Sequence, residues 1–229
     1  MKNRVFFLLI AVLLVLSPAI AFAGGDKEAA QSSAVTDAAL AYFADKADDN
    51  NMIAQDAFVE MVKSGEEMFI LDIRQPDVYA QGHVAGAYNA PWGAAIGESL
   101  DYLPDDQPVY VYCYTGQTAG QTVALLNVAG INAKSVRYGF NLGISQVAGY
   151  EDVIETKANQ FGASEGVKFN EEVKAAVVAY FDAIGQDEFA PSNIVTAAKA
   201  KETIDESEGD VVVLSIRQAD AYAEAHIPG

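Results

Sequence analysis

Cysteine is nearly absent: the 229-residue chain holds one, Cys113, and only two histidines, His83 and His226. A lone cysteine excludes any intramolecular disulfide. Two histidines with a single thiol cannot build a His- or Cys-rich centre, so no metal is expected. Cations are scarce as well, with 14 Lys and Arg against 32 Asp and Glu, a formal charge of −18. Such a surface repels phosphate backbones and anionic lipid, which excludes nucleic acid as a partner. Long apolar runs are missing after the first two dozen residues. The one that is present, residues 5–16, follows Lys2 and Arg4, is broken by Pro18 and ends in Ala21-Phe22-Ala23. That is the pattern of a secretory signal peptide over 1–23. The expected location is across the inner membrane, in the periplasm, with membrane attachment only if the segment stays uncleaved as an anchor.

What remains is 51% hydrophobic, enough for one large core or two modest ones. Residues 24–50 read as a leader and a helix: 24–33 are small and polar, a flexible stretch, and 34–46 carry apolar residues at helical spacing. Asp45, Asp48 and Asp49 lack the alternating ligands and distal glutamate of a calcium loop and read as a solvated turn. A helix over 54–63 is stopped by Ser64-Gly65, and 68–73 form a short strand that delivers Asp72 and Arg74 to its end. A short helix over 91–100, with Trp92 as a packing residue, precedes an acidic loop, and 133–137 form a last strand. Strands alternating with helices imply an α/β fold with a parallel or mostly parallel sheet covered on both faces.

The stretch Val109-Tyr110-Val111-Tyr112-Cys113-Tyr114-Thr115-Gly116-Gln117-Thr118 is where chemistry concentrates. Four β-branched or aromatic residues make a buried strand, Thr115 to Thr118 break it, and helical spacing resumes over 119–129. A thiol at such a strand end faces successive backbone N–H groups and the positive end of a helix dipole, which favour a thiolate or a bound anion. The competing reading is a small buried hydrophobe, the usual fate of a free cysteine.

The residues upstream decide between the two. Leu71-Asp72-Ile73-Arg74, then Tyr79, then Gly82-His83-Val84-Ala85-Gly86-Ala87, then Asn89-Ala90-Pro91, and thirty residues after His83 a Cys-x-x-Gly loop, together resemble the rhodanese (sulfurtransferase) family over 51–150. The resemblance implies a rhodanese-like α/β domain with a mostly parallel five-stranded sheet. It makes Cys113 the catalytic nucleophile and Tyr114, Thr115, Gly116, Gln117, Thr118 and Ala119 the loop that binds substrate and persulfide. Asp72 and Arg74 become supports near the active site, and His83 a satisfied loop histidine. The segment Gly139-Phe140-Asn141-Leu142-Gly143 departs from the family, which often carries Gly-Gly and then a tryptophan there.

The chain then repeats itself. Leu214-Ser215-Ile216-Arg217-Gln218-Ala219-Asp220-Ala221-Tyr222 echoes Leu71 to Tyr79, and His226-Ile227-Pro228-Gly229 echoes His83 to Gly86. Ala179-Tyr180-Phe181 likewise echoes Ala41-Tyr42-Phe43. This resembles a tandem arrangement: a linker with some helix over 151–187, then the N-terminal part of a second, truncated domain over 188–229.

The function implied is sulfane-sulfur transfer through a persulfide on Cys113, from a small sulfur donor to a thiol or other thiophilic acceptor, with a protein acceptor as a further partner. No cofactor is needed. An alternative outside turnover is a sulfur carrier or a sensing and binding module. Phosphatase or arsenate reductase chemistry is disfavoured, because the loop lacks the arginine six residues after its cysteine that clamps a tetrahedral dianion.

Overall fold

The computed structural model describes residues 25–45, 50–162, 166–186, 193–207 and 209–228, with side chains from residue 34 onward and excluding Asp45. The expected signal peptide over 1–23 and the acidic turn at Asp48 and Asp49 lie outside the described residues. The chain divides into two compact units, Met1–Ala183 and Ile184–Gly229.

In the first unit α1 (Gly25–Asp45) leads to β1 (Met52–Ile53), α2 (Gln55–Ser64), β2 (Phe69–Asp72), α3 (Pro76–Gln81), β3 (His83–Val84), β4 (Ala87–Asn89), α4 (Ala94–Ser99), β5 (Val109–Tyr112), α5 (Gln117–Val128), β6 (Ala133–Val136), α6 (Gly139–Leu142), β7 (Ile154–Glu155) and α7 (Glu171–Asp182). Five strands form one parallel sheet in the order β1-β6-β5-β2-β4, and β3 pairs antiparallel with β7. Helix α1 begins nine residues before the expected start at Ala34, so the stretch read as a flexible leader is helical. Its Ala, Glu and Gln residues are good helix formers.

Central strand β5 is buried along its whole length, which explains why it reads as a continuous apolar run rather than an alternation. On one face, Ile70, Tyr110, Tyr112 and Val136 pack with Phe58 and Val59 of α2. Alternation along the strands sends Leu71, Val109 and Val111 to the opposite face, and all three are fully buried.

Most of the segment expected as a linker over 151–187, as far as Ala183, lies within the first unit. The N–H of Asn159 donates to the Tyr79 hydroxyl at 3.1 Å, and its side-chain amide donates to Ala87 O and to Glu155 Oε1. Phe161 stacks on Tyr88 at 5.2 Å, so this strap covers edge strand β4, where open hydrogen-bonding groups would otherwise face solvent. Helix α7, capped by the Asn170 side chain, buries Val173, Val177 and Phe181. The Phe181 ring meets Trp92 edge-on at 5.7 Å. Apolar positions at i, i+4 and i+8 give α7 a single buried face, and burying it makes the helix part of the core.

In the second unit, α8 (Ala197–Glu206) and α9 (Ala219–Glu224) are the helices among the described residues. The repeat reproduces local contacts. Arg217 donates to Ala225 O as Arg74 does to Gly82 O, and the Tyr222 and His226 rings stack at 3.9 Å as those of Tyr79 and His83 do at 3.6 Å. Residues 211–216, however, form no strand among the described residues, and Val212, Leu214 and Ile216 are 89%, 82% and 91% exposed. Strand β2, their counterpart, exists because β4 and β5 complete its ladder on both sides. Among the described residues, 211–216 have no such neighbours.

Candidate functional site

Cys113 sits one residue past β5, at the carboxyl end of the sheet, and is 2% exposed. The chain turns at Gly116, whose φ of +92° lies in the left-handed region that glycine adopts without strain. That turn brings the Gly116 N–H to the Cys113 Sγ at 3.1 Å and starts α5 immediately afterwards. The thiol therefore faces a backbone donor and the positive end of a twelve-residue helix.

A second segment holds the loop in this shape. The N–H groups of Phe140 and Asn141 donate to the carbonyls of Cys113 and Tyr114 at 2.8 and 2.9 Å. Gly139, at φ +61°, packs so closely that a Cβ there would stand 2.5 Å from Cys113 O and 2.8 Å from both Thr115 N and Gly116 N. The first two carbonyls of the loop are thus tied to α6, while the Gly116 N–H lies on the sulfur.

The structure brings the expected loop residues together in different states. The Tyr114 hydroxyl accepts the N–H of Gln75 at 3.1 Å. Thr115 and Gln117 are exposed, Thr118 is half-buried in the first turn of α5, and Ala119 is fully buried. None of these side chains is charged.

Asp72 and Arg74 lie on the neighbouring strand end, 0% and 2% exposed. Arg74 Nη2 donates to Asp72 Oδ2 at 2.6 Å and Nε to Oδ1 at 3.0 Å, a two-pronged pair, and Nη2 also reaches Gly82 O at 2.8 Å. Burial by itself would lower the Arg74 pKa, but the hydrogen bond and charge of Asp72 hold it above its ordinary value. Tyr112 donates to Asp72 Oδ2 at 2.8 Å and accepts from Val84 N at 3.1 Å. Burial, then the Asp72 charge, raise the Tyr112 pKa well above the ordinary tyrosine value. The Arg74 guanidinium also lies 4.0 Å from the centre of the Phe140 ring, so the buried pair touches the segment that holds the cysteine loop.

His83 is fully buried, with Nδ1 on Tyr79 O at 2.8 Å and Nε2 3.6 Å from Glu155 Oε1. At 3.6 Å Nε2 is beyond hydrogen-bond reach of Glu155 and has no other partner among the described residues, so the histidine expected to be satisfied is bonded at Nδ1 alone, to α3, and makes no bond to the cysteine loop. Among the described residues, no group of three or more His, Cys, Asp or Glu side chains could hold a metal ion, and no helix is long and apolar enough to cross a membrane.

Sequence reasoning missed Gly139, Phe140 and the Gln75 N–H. Gly139 carried a signal, a glycine in the segment that departs from the family pattern. Phe140 and Gln75 carried none, because their role depends on contacts across the sheet.

Residues 54–145 match the rhodanese-like domain. The thiosulfate sulfurtransferase GlpE of Pseudomonas entomophila (strain L48) is 32% identical over 85 residues, covering 37% of this chain and 77% of that protein. YrkF of Bacillus subtilis (strain 168), provisionally named a sulfur carrier protein, is 25% identical over 100 residues, covering 44% of this chain and 49% of that protein. The match thus spans about half of YrkF's length. Among solved structures, a rhodanese-like domain protein from Staphylococcus aureus is 22% identical, with a TM-score of 0.41, 47% of this chain and 99% of that one being covered.

Proposed function

The chain belongs to the rhodanese-like family, and from that premise we propose that it is an exported sulfurtransferase that carries sulfane sulfur as a persulfide on Cys113. The observation that carries the proposal is the Cys113 thiol at a strand-to-helix turn with the Gly116 N–H on its sulfur. The Cys113 thiolate attacks the outer sulfur of the donor. The new S–S bond forms as the donor's own bond to that sulfur breaks, and the donor leaves as sulfite or a thiolate. An acceptor thiolate then attacks the outer sulfur of the persulfide, takes it as its own persulfide, and releases Cys113 as a thiolate. Sulfur changes hands with no net redox change, so no external oxidant, metal or organic cofactor enters. The Gly116 N–H and the start of α5 face the charge that the terminal persulfide sulfur carries, and a thiol that attacks as its thiolate requires no general base in the step.

The loop's neutrality bears on the donor. Tyr114, Thr115, Gln117 and Thr118 offer no cation for a small dianion, while repulsion by the acidic surface is screened beyond about 8 Å at physiological salt. Persulfide and polysulfide donors are therefore the preferred class, and thiosulfate the poorer one.

The test is intact mass after incubation with each donor. One added sulfur atom is expected on the wild type and none on Cys113→Ser, and kcat/KM should rank persulfide above thiosulfate. Thr115→Arg, at an exposed loop position, should raise thiosulfate in that ranking. A wild type that takes up no sulfur refutes the proposal, and an unchanged ranking in Thr115→Arg refutes the electrostatic argument. The carrier reading, favoured by the YrkF match, predicts a persulfide that forms but persists against small thiols. The tandem reading is supported by the repeated contacts of Arg217, Tyr222 and His226.

A further inference from the structure

Three consecutive residues at the end of β2 act on three consecutive residues at the end of β5. The Ile73 N–H donates to Tyr112 O at 3.0 Å. Arg74, fixed by Asp72, backs the Phe140 ring, and Phe140 N–H donates to Cys113 O at 2.8 Å. The Gln75 N–H donates to the Tyr114 hydroxyl at 3.1 Å. We propose that this corner clamps the cysteine loop and that Tyr114 is a positioning residue for sulfur transfer, its phenol tethering the loop to Gln75 rather than contacting the donor.

Tyr114 lies between the thiol and the Thr115 and Gly116 N–H groups, so its orientation sets theirs. Its carbonyl is held by Asn141 and its side chain by Gln75, which fixes the residue at both ends. The remaining joint, Gly116, is a glycine in the left-handed region and offers little resistance by itself. Removing the phenolic oxygen releases one end of this arrangement. Gln75 is exposed, so its freed N–H meets water and the folded state loses little. Loop geometry and overall stability are therefore separable at this position.

The inference rests on the sulfur-transfer reading, so Tyr114→Phe is compared with wild type by two measurements, only one of which needs a sulfur donor. In turnover with a persulfide donor, kcat should fall about three- to tenfold, the equivalent of one lost hydrogen bond, with KM within about twofold. In alkylation of the folded protein by iodoacetamide at neutral pH, the Cys113 rate should fall by a similar factor. The Tm should stay within about 2 °C of wild type, and Tyr102→Phe, at a partly exposed ring stacked on Phe161, should change neither rate. A raised KM with unchanged kcat overturns the clamp in favour of a donor contact. A lower Tm with both rates unchanged reduces the tether to plain structure, and rates as slow in Tyr102→Phe remove its specificity. If the wild type takes up no sulfur, the sulfur-transfer reading fails and the clamp stands or falls on the alkylation rates alone.

Discussion

Gly139→Ala adds one carbon atom at the point where α6 touches the cysteine loop. The added Cβ would stand 2.5 Å from Cys113 O and 2.8 Å from Thr115 N and Gly116 N, all backbone atoms. Ordinary contact begins near 3.4 Å, so the two segments must separate by roughly an ångström, and no flexible side chain can absorb the shift. Alanine at φ +61° adds about 1–2 kcal/mol of backbone strain, and the weakened Phe140 and Asn141 hydrogen bonds about 1 kcal/mol more. The total, about 2–3 kcal/mol, corresponds to a fall in Tm of roughly 4–12 °C for a domain of this size. Function should suffer more than stability. A displacement of about 1 Å in groups that stabilise developing charge can cost about a hundredfold, so kcat/KM for persulfide transfer should fall by about two orders of magnitude in protein that is still folded. Circular dichroism melting and single-turnover sulfur uptake by intact mass measure the two effects. If Gly139→Ala transfers sulfur at the wild-type rate, the close approach of α6 does not shape the cysteine loop.

Phe181→Ala should destabilise the first unit by about 3–5 kcal/mol, the usual cost of emptying a fully buried aromatic site, as read by urea denaturation; an unchanged midpoint would show that α7 is not part of the core. The pH dependence concerns the strap. Glu155 has its pKa lowered, first by the Gly86 N–H, then by the Asn159 side chain, with His83 adding to it. A carboxyl whose folded pKa is depressed contributes stability above its unfolded pKa of about 4.3 and loses that contribution as pH falls through the lower folded value. Thermal melts from neutral pH down to about pH 3 should therefore show wild type losing more stability below about pH 4 than Glu155→Gln does; parallel curves would remove Glu155 from the acid response.

The sequence by itself determined the strand, turn and helix that carry Cys113. Four apolar residues, one thiol, a glycine and renewed helical spacing are local facts, and strand, turn and helix follow from local physics, so Cys113 and the start of α5 were legible without coordinates. The ordered residues from Asp72 to Pro91 made the family legible in the same way. Only tertiary structure decided the rest. Whether Tyr114 meets a donor or a backbone amide depends on which strand lies beside β5. That Phe140 rests on Arg74 depends on two segments 66 positions apart meeting across the sheet. The first compact unit runs on past Tyr150 to Ala183, because composition shows that 151–170 is polar but cannot show that Asn159 and Phe161 cover an edge strand or that Phe181 finds Trp92. Residues 211–216 make the same point in reverse: they carry an apolar run like that of β2, with Leu214 and Ile216 at the places of Leu71 and Ile73, yet form no strand among the described residues. A strand is defined by hydrogen bonds to its neighbours, and those belong to the fold rather than to the segment.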